Sequence, residues 1–208
     1  MKNKGVLYAL CAGISWGISL GIFGRTMTSF GFTAMQVSAV RTTISAITFI
    51  ILALVTDRKA FRLNPKDIWI FLCSGFISVT LFCWCYFTST KLCSLAVGGV
   101  LQYTAPVWVV VFSAVIFREP ITKVKAAAMA IAIAGCVLVS GITHGVGQVS
   151  AFGLVAGVFS GITYGSYTIF TRFAVPKYRT MTINVYTFIV ASATSLLLSG
   201  PVKTVSAV

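Results

Sequence analysis

Acidic residues are almost missing from this chain: three Asp and Glu stand against 16 Lys and Arg in 208 residues, a net charge of +13. Charged residues of both signs make up only 9%, against 58% apolar, far below the roughly one-quarter charged of a soluble domain. So little polar surface cannot clothe a water-soluble fold. Histidine occurs once, as His144, which leaves nothing to assemble a Ser–His–Asp relay or a histidine metal site. No catalytic residue, metal or cofactor is therefore expected, and the chain does not read as an enzyme. The string Gly13-Ile14-Ser15-Trp16-Gly17 spells a GxSxG nucleophile elbow, but it lacks the partners and the strand-to-helix turn that motif needs. The six cysteines (11, 73, 83, 85, 93 and 136) sit in or beside apolar runs without redox spacing and read as small buried hydrophobes.

What the chain does have is long apolar runs. A bilayer core about 30 Å thick takes roughly 20 residues per helix, and seven segments qualify: 5–24, 33–55, 68–88, 94–117, 126–143, 151–171 and 181–200. None alternates with the period of two that a membrane barrel shows, so each must satisfy its backbone as a helix. The fold class is an all-α polytopic membrane protein with short turns and no soluble domain.

The basic residues fall in alternate gaps between these segments. Twelve of them (Lys2, Lys4, Arg58, Lys59, Arg62, Lys66, Arg118, Lys123, Lys125, Arg172, Lys177 and Arg179) share one side with all three acids, Asp57, Asp67 and Glu119. The other gaps and the tail hold Arg25, Lys91 and Lys203, while Arg41 lies inside a segment. By the positive-inside rule the N-terminus is cytoplasmic in a multi-pass inner or plasma membrane protein. The excess of charge orients helices and meets anionic lipid; a nucleic-acid partner would want one soluble basic patch with aromatics.

Glycines recur every fourth residue in two places. Gly5, Gly13, Gly17 and Gly21 form one ladder, with Ala9 on the missing rung; Gly153, Gly157, Gly161 and Gly165 form the other. An offset of 148, from Gly5 to Gly153, also lays Ile14 on Ile162, Ser15 on Thr163 and Trp16 on Tyr164. A fixed offset with matched chemistry marks an internal repeat. The ladders open segments one and six, so the unit holds five helices. An odd number makes the second unit enter from the opposite side, the inverted-repeat architecture of many secondary transporters. The units are residues 1–143 and 151–208, the second incomplete with two helices.

These residues carry a resemblance. Gly13-Ile14-Ser15-Trp16-Gly17 in the first helix, Arg41 in the second, Tyr103-Thr104-Ala105-Pro106 in the fourth, Glu119-Pro120 at its end and the small-residue helix Gly135 to Gly141 resemble the EamA-type transporters of the drug/metabolite transporter superfamily. The resemblance implies a secondary transporter that exports small metabolites or amino acids by alternating access, with a small-molecule substrate and the lipid bilayer as its partners. It also implies ten helices. The offset puts the expected end of the second unit near residue 288, so about 80 residues and three helices are expected beyond this sequence. The alternatives are a non-transporting membrane fragment or a seven-helix receptor-like protein; the latter would want an external N-terminus and, for retinal, a mid-helix Lys in the seventh segment.

Arg41 is the most distinctive polar residue, because a charge inside a helix must pair or face a wet cavity; otherwise it snorkels to the interface. It heads the candidate substrate-binding residues, followed by Trp16, Gln102, Tyr103 and Tyr164. Gly13, Gly17, Gly157, Gly161 and Gly165 are expected to let helices pack closely, and Pro106 to kink the fourth helix. No Asp or Glu lies within an apolar run, so no carboxylate there can carry a proton or sodium ion.

Overall fold

A computed structural model describes residues 2–139 and 150–200 of the chain. His144 and the segment around Gly141, like the tail after Gly200, lie outside the described residues. Within them, all regular structure is helical. Helix α1 spans residues 2–29, α2 Ala34–Thr56, α3 residues 68–92, α4 Leu95–Phe117, α5 Lys123–Val139, α6 Ala151–Ala174 and α7 Thr180–Ser199.

These helices fall on the seven apolar runs, and the protein is an all-α polytopic membrane protein. Five of them, α1 to α4 and α7, are long and apolar enough to cross a membrane. Helix α5 is described as far as Val139, 17 residues, where the described residues stop. Helix α6 has 24, but Ser160, Thr163, Ser166, Thr168 and Thr171 dilute its apolarity, and it is packed between α3 and α4.

Helix ends follow from local chemistry. Gly31, at φ 87°, turns the chain after α1, where a side chain would be strained. The N–H of Thr33 then donates to Gln36 Oε1 at 2.8 Å, and the N–H of Gln36 to Thr33 Oγ1 at 3.3 Å. This reciprocal capping box starts α2. Ser94 Oγ caps α4 by accepting from the N–H of Val97 at 3.1 Å. Two helices contain a π-helical turn, Ile18–Ile22 in α1 and Phe76–Leu81 in α3. Helix α4 breaks outright rather than kinking. It stops at Gln102 and restarts at Ala105, with Pro106 in the first turn of the second half, where the missing N–H is harmless.

The two glycine ladders behave differently. A Cβ on Gly157 would run into the Leu101 side chain and come within 2.8 Å of Ser89 Oγ. On Gly161 it would strike Thr104 Oγ1 and lie 3.1 Å from the Leu101 carbonyl oxygen; on Gly165, 3.1 Å from the Ala105 carbonyl oxygen. The ladder of α6 is therefore the seam along which its backbone meets the broken helix α4. Gly13 and Gly17 meet nothing within 4 Å, so the expected close packing occurs at the second ladder only. A crossing that the ladders do not announce lies at Gly75, where a Cβ would sit 2.7 Å from the Thr187 carbonyl oxygen of α7.

Helix α7 lies against α2 and α3, and hydroxyl pairs line these contacts. Ser38 meets Ser195 at 3.2 Å, Thr43 meets Ser192 at 2.8 Å, Ser74 meets Thr187 at 2.9 Å and Thr80 meets Thr194 at 2.7 Å. Between apolar helices there is no hydrophobic drive to associate, and such pairs contribute on average about 0.6 kcal/mol each.

Three loops gather at one end. Asp57 pairs with Arg179 at 2.8 Å, Asp67 with Lys177 at 2.7 Å, and Glu119 with Arg172 at 2.6 Å. All three acids of the chain thus clasp basic residues at the end of α6 and in the α6–α7 loop. Arg172 also lies over the Phe117 ring at 4.0 Å. The hydrogen bond from Arg179 holds the Asp57 carboxyl below its ordinary value, and that from Arg172 does the same for Glu119. The bond to Asp67 raises Lys177.

Two measurements check this packing. Gly161→Leu is expected to lower the melting temperature in detergent by the equivalent of about 1–3 kcal/mol of overpacking, because backbone atoms must move. Gly17→Leu is expected to stay within about 0.5 kcal/mol of the parent. Depressed carboxyl pKa values contribute stability that is complete above the ordinary values of 3.8 for Asp and 4.5 for Glu, and is lost as pH falls below them. The raised Lys177 keeps its share up to its ordinary 10.5. Stability should therefore be flat between about pH 6 and 9 and fall on acidification through the carboxyl range; molar salt at neutral pH should reproduce part of that loss.

Candidate functional site

Arg41 lies about two turns into α2, half-buried, with its side chain directed at the π-helical turn of α1. Its Nε–H donates to Ser19 Oγ at 2.9 Å, and an Nη1–H donates to Cys83 Sγ at 3.1 Å. The Trp16 ring lies beneath the guanidinium, 5.6 Å from its centroid, close enough for a cation–π contribution. Every carboxylate of the chain is occupied at the loop end, so Arg41 has no countercharge within the described residues.

The guanidinium borders a half-open cavity of about 280 Å³ between the helices, lined by Trp16 of α1, Phe49 of α2, Phe82 of α3, Tyr164 of α6, and Asn184 and Phe188 of α7, among others. Trp16 and Tyr164 are tilted rings 5.7 Å apart, and Tyr164 and Phe82 are 5.2 Å apart. Two neutral polar contacts complete the wall. Ser78 meets Ser166 at 2.7 Å, and Tyr167 donates to Asn184 Oδ1 at 3.4 Å. On its other side Arg41 borders a groove between α1 and α2 that includes Ser15, Ser19 and Ser45.

Both π-helical turns among the described residues touch this site. Ser19 belongs to the first, Ser78 and Val79 to the second, and Cys83 lies two residues past the second. A π turn shifts the helical register by one residue, and such turns concentrate at functional sites. Here the first presents Ser19 to Arg41 just after Trp16 has faced Tyr164.

Of the five residues singled out from sequence, Arg41, Trp16 and Tyr164 line one cavity. Gln102 and Tyr103 do not. Gln102 is buried at the end of the first half of α4, and Tyr103, 68% exposed, occupies the break that follows. Pro106 lines a separate shallow groove with Tyr164 and Gly165. The sequence reading missed Phe82, Cys83, Ser19, Asn184 and Phe188. Asn184 carried a usable signal, as a polar amide one turn into an apolar run; the others look like ordinary membrane residues.

The EamA-like transporter family matches over residues 3–141. No curated protein and no solved structure shows a significant match. A match over two-thirds of the sequence, on a chain of apolar helices whose interior holds a cavity, settles the family: the chain belongs to the EamA-like transporter family.

Proposed function

We propose that this protein acts in a secondary carrier that exports small metabolites, amino acids among them, across the cell membrane by alternating access between inverted five-helix units. The observation that carries the reading is the cavity at Arg41. A charge in the membrane interior costs about 3 kcal/mol, and three hydrogen-bonding or aromatic contacts from α1 and α3 hold it beside an interior space rather than at a helix end. A packing role would be served by any apolar side chain. A carrier needs a polar group facing an internal cavity, with helices able to change register around it, and the two π turns beside Arg41 supply such places.

In this reading the loop end with the three ion pairs is cytoplasmic, as the distribution of basic residues suggests. The substrate passes unchanged, so no reaction is assigned to the site. The cavity residues Arg41, Trp16 and Tyr164 form the substrate contacts.

Orientation can be tested in intact cells with a membrane-impermeant thiol reagent, in a background whose native cysteines are replaced. A cysteine at Phe30 should label and one at Arg62 should not; labelling at 62 alone would reverse the topology. For transport, efflux measured in cells at matched expression should fall for Arg41→Lys, because an ammonium cannot reproduce the planar fork, and fall further for Arg41→Gln. Normal efflux in both variants would reduce Arg41 to a snorkelling anchor.

A further inference from the structure

We propose that the Arg41 cavity takes organic monoanions, with a carboxylate against the guanidinium and a flat apolar body among the rings of Trp16, Phe82, Tyr164 and Phe188. The inference rests on the transport reading for its physiological meaning, and narrows it from small metabolites, amino acids among them, to monoanions, setting amino-acid zwitterions aside.

Charge comes first. A guanidinium is a cation, and the described residues offer Arg41 no carboxylate. Two of the five guanidinium N–H donors go to Ser19 and Cys83. A thiol sulfur is a weak acceptor, so a ligand carboxylate that replaces Cys83 exchanges a weak bond for a charge-assisted, bidentate one.

The remaining walls speak against other charges. Polar groups on the cavity lining besides Arg41 are neutral: Ser78, Asn184 and the hydroxyls of Tyr164 and Tyr167. A ligand ammonium would meet no carboxylate there and would be repelled by Arg41. A neutral polar ligand would bring no charge to balance the arginine's. Size also agrees. An apolar cavity of about 150 Å³ holds one benzene ring, so about 280 Å³ admits a ring together with its carboxylate. The tilted pair of Trp16 and Tyr164, with Phe82 beyond, offers that ring the offset and edge-on contacts that aromatics prefer.

The test uses the purified 208-residue chain in lipid nanodiscs, with Trp69, Trp84 and Trp108 replaced by Phe so that Trp16 reports on the cavity. Benzoate, benzylamine, benzyl alcohol and phenylalanine are titrated against its fluorescence. Benzoate should quench saturably, and the other three should not do so in the same concentration range. Arg41→Gln should weaken benzoate roughly ten- to a hundredfold, with Arg41→Lys between the two. Equal binding of the amine, the alcohol or the zwitterion to the parent protein would overturn the proposal, and that comparison needs no variant to fold. Unchanged benzoate affinity in a folded Arg41→Gln would overturn it as well. Flux of labelled benzoate into vesicles separates the two readings: Arg41-dependent binding without flux sustains the anion site and defeats transport. Flux of benzylamine without benzoate binding does the reverse.

Discussion

In hydrocarbon, a polar group that finds no partner inside the protein finds none at all, and this constraint organises the molecule. It explains why hydroxyls on α7 meet hydroxyls on α2 and α3 across the helix contacts. It explains why all three carboxylates are confined to one loop end, each held by a cation. Arg41 is the point where the constraint is met least completely. A serine, a thiol and an indole face satisfy part of its donor set and charge, and its guanidinium borders a cavity. A buried cation left in that condition is a poor structural element and a good binding element.

The bundle divides into a tightly seamed part and a loosely held wall. Helix α6 meets α4 along a glycine ladder with backbone atoms at van der Waals limits, so neither can shift without the other. Helix α1 has a single close approach of this kind, at Gly24, where a Cβ would run into the Phe87 ring. Leu20, Phe23 and Met27 anchor it in the apolar cluster around Phe87 and Val37, and below them Trp16 leans on Tyr164. The cavity wall supplied by α1 thus depends on a few side-chain contacts, two of which, Trp16 and Ser19, are contacts of Arg41 itself. Whatever changes the partners of Arg41 also changes what holds α1 in place.

Much of this was legible in the sequence, and the reasons for the rest are physical. Helix positions followed from bilayer thickness and the apolar runs, and the gathering of Arg172, Lys177 and Arg179 with all three acids followed from their parity along the chain. Arg41, Trp16 and Tyr164 stood out because a charge and two amphipathic rings are conspicuous among Leu, Ile and Val. Phe82 and Phe188 did not, because an aromatic facing a cavity and one facing lipid are the same letter. Gln102 and Tyr103 stood out for the same reason as Arg41 and Trp16 but do not line this cavity: Gln102 is buried at the end of the first half of α4, and Tyr103 lies exposed in the break before Ala105. The π turns left no mark in composition, since Ile18–Ile22 and Phe76–Leu81 read as plain apolar helix.

The glycine offset of 148 adds one last constraint on what Arg41 does. The position that corresponds to it is Ile189, which packs with Phe49 and Ile50 on the small cluster of Ala53, Ala60 and Val185. If the charge served the packing of a five-helix unit, the same fold would need it at both positions. An apolar residue fills the second, where it does the ordinary work of packing. Trp16 and Tyr164, by contrast, correspond to each other at the same offset and meet as tilted rings 5.7 Å apart at the cavity wall. The aromatic cradle is therefore drawn from matched positions of both stretches, while the charge is supplied once, and the other polar groups on the wall are neutral. A site built that way can orient what it holds, which two equivalent halves by themselves could not.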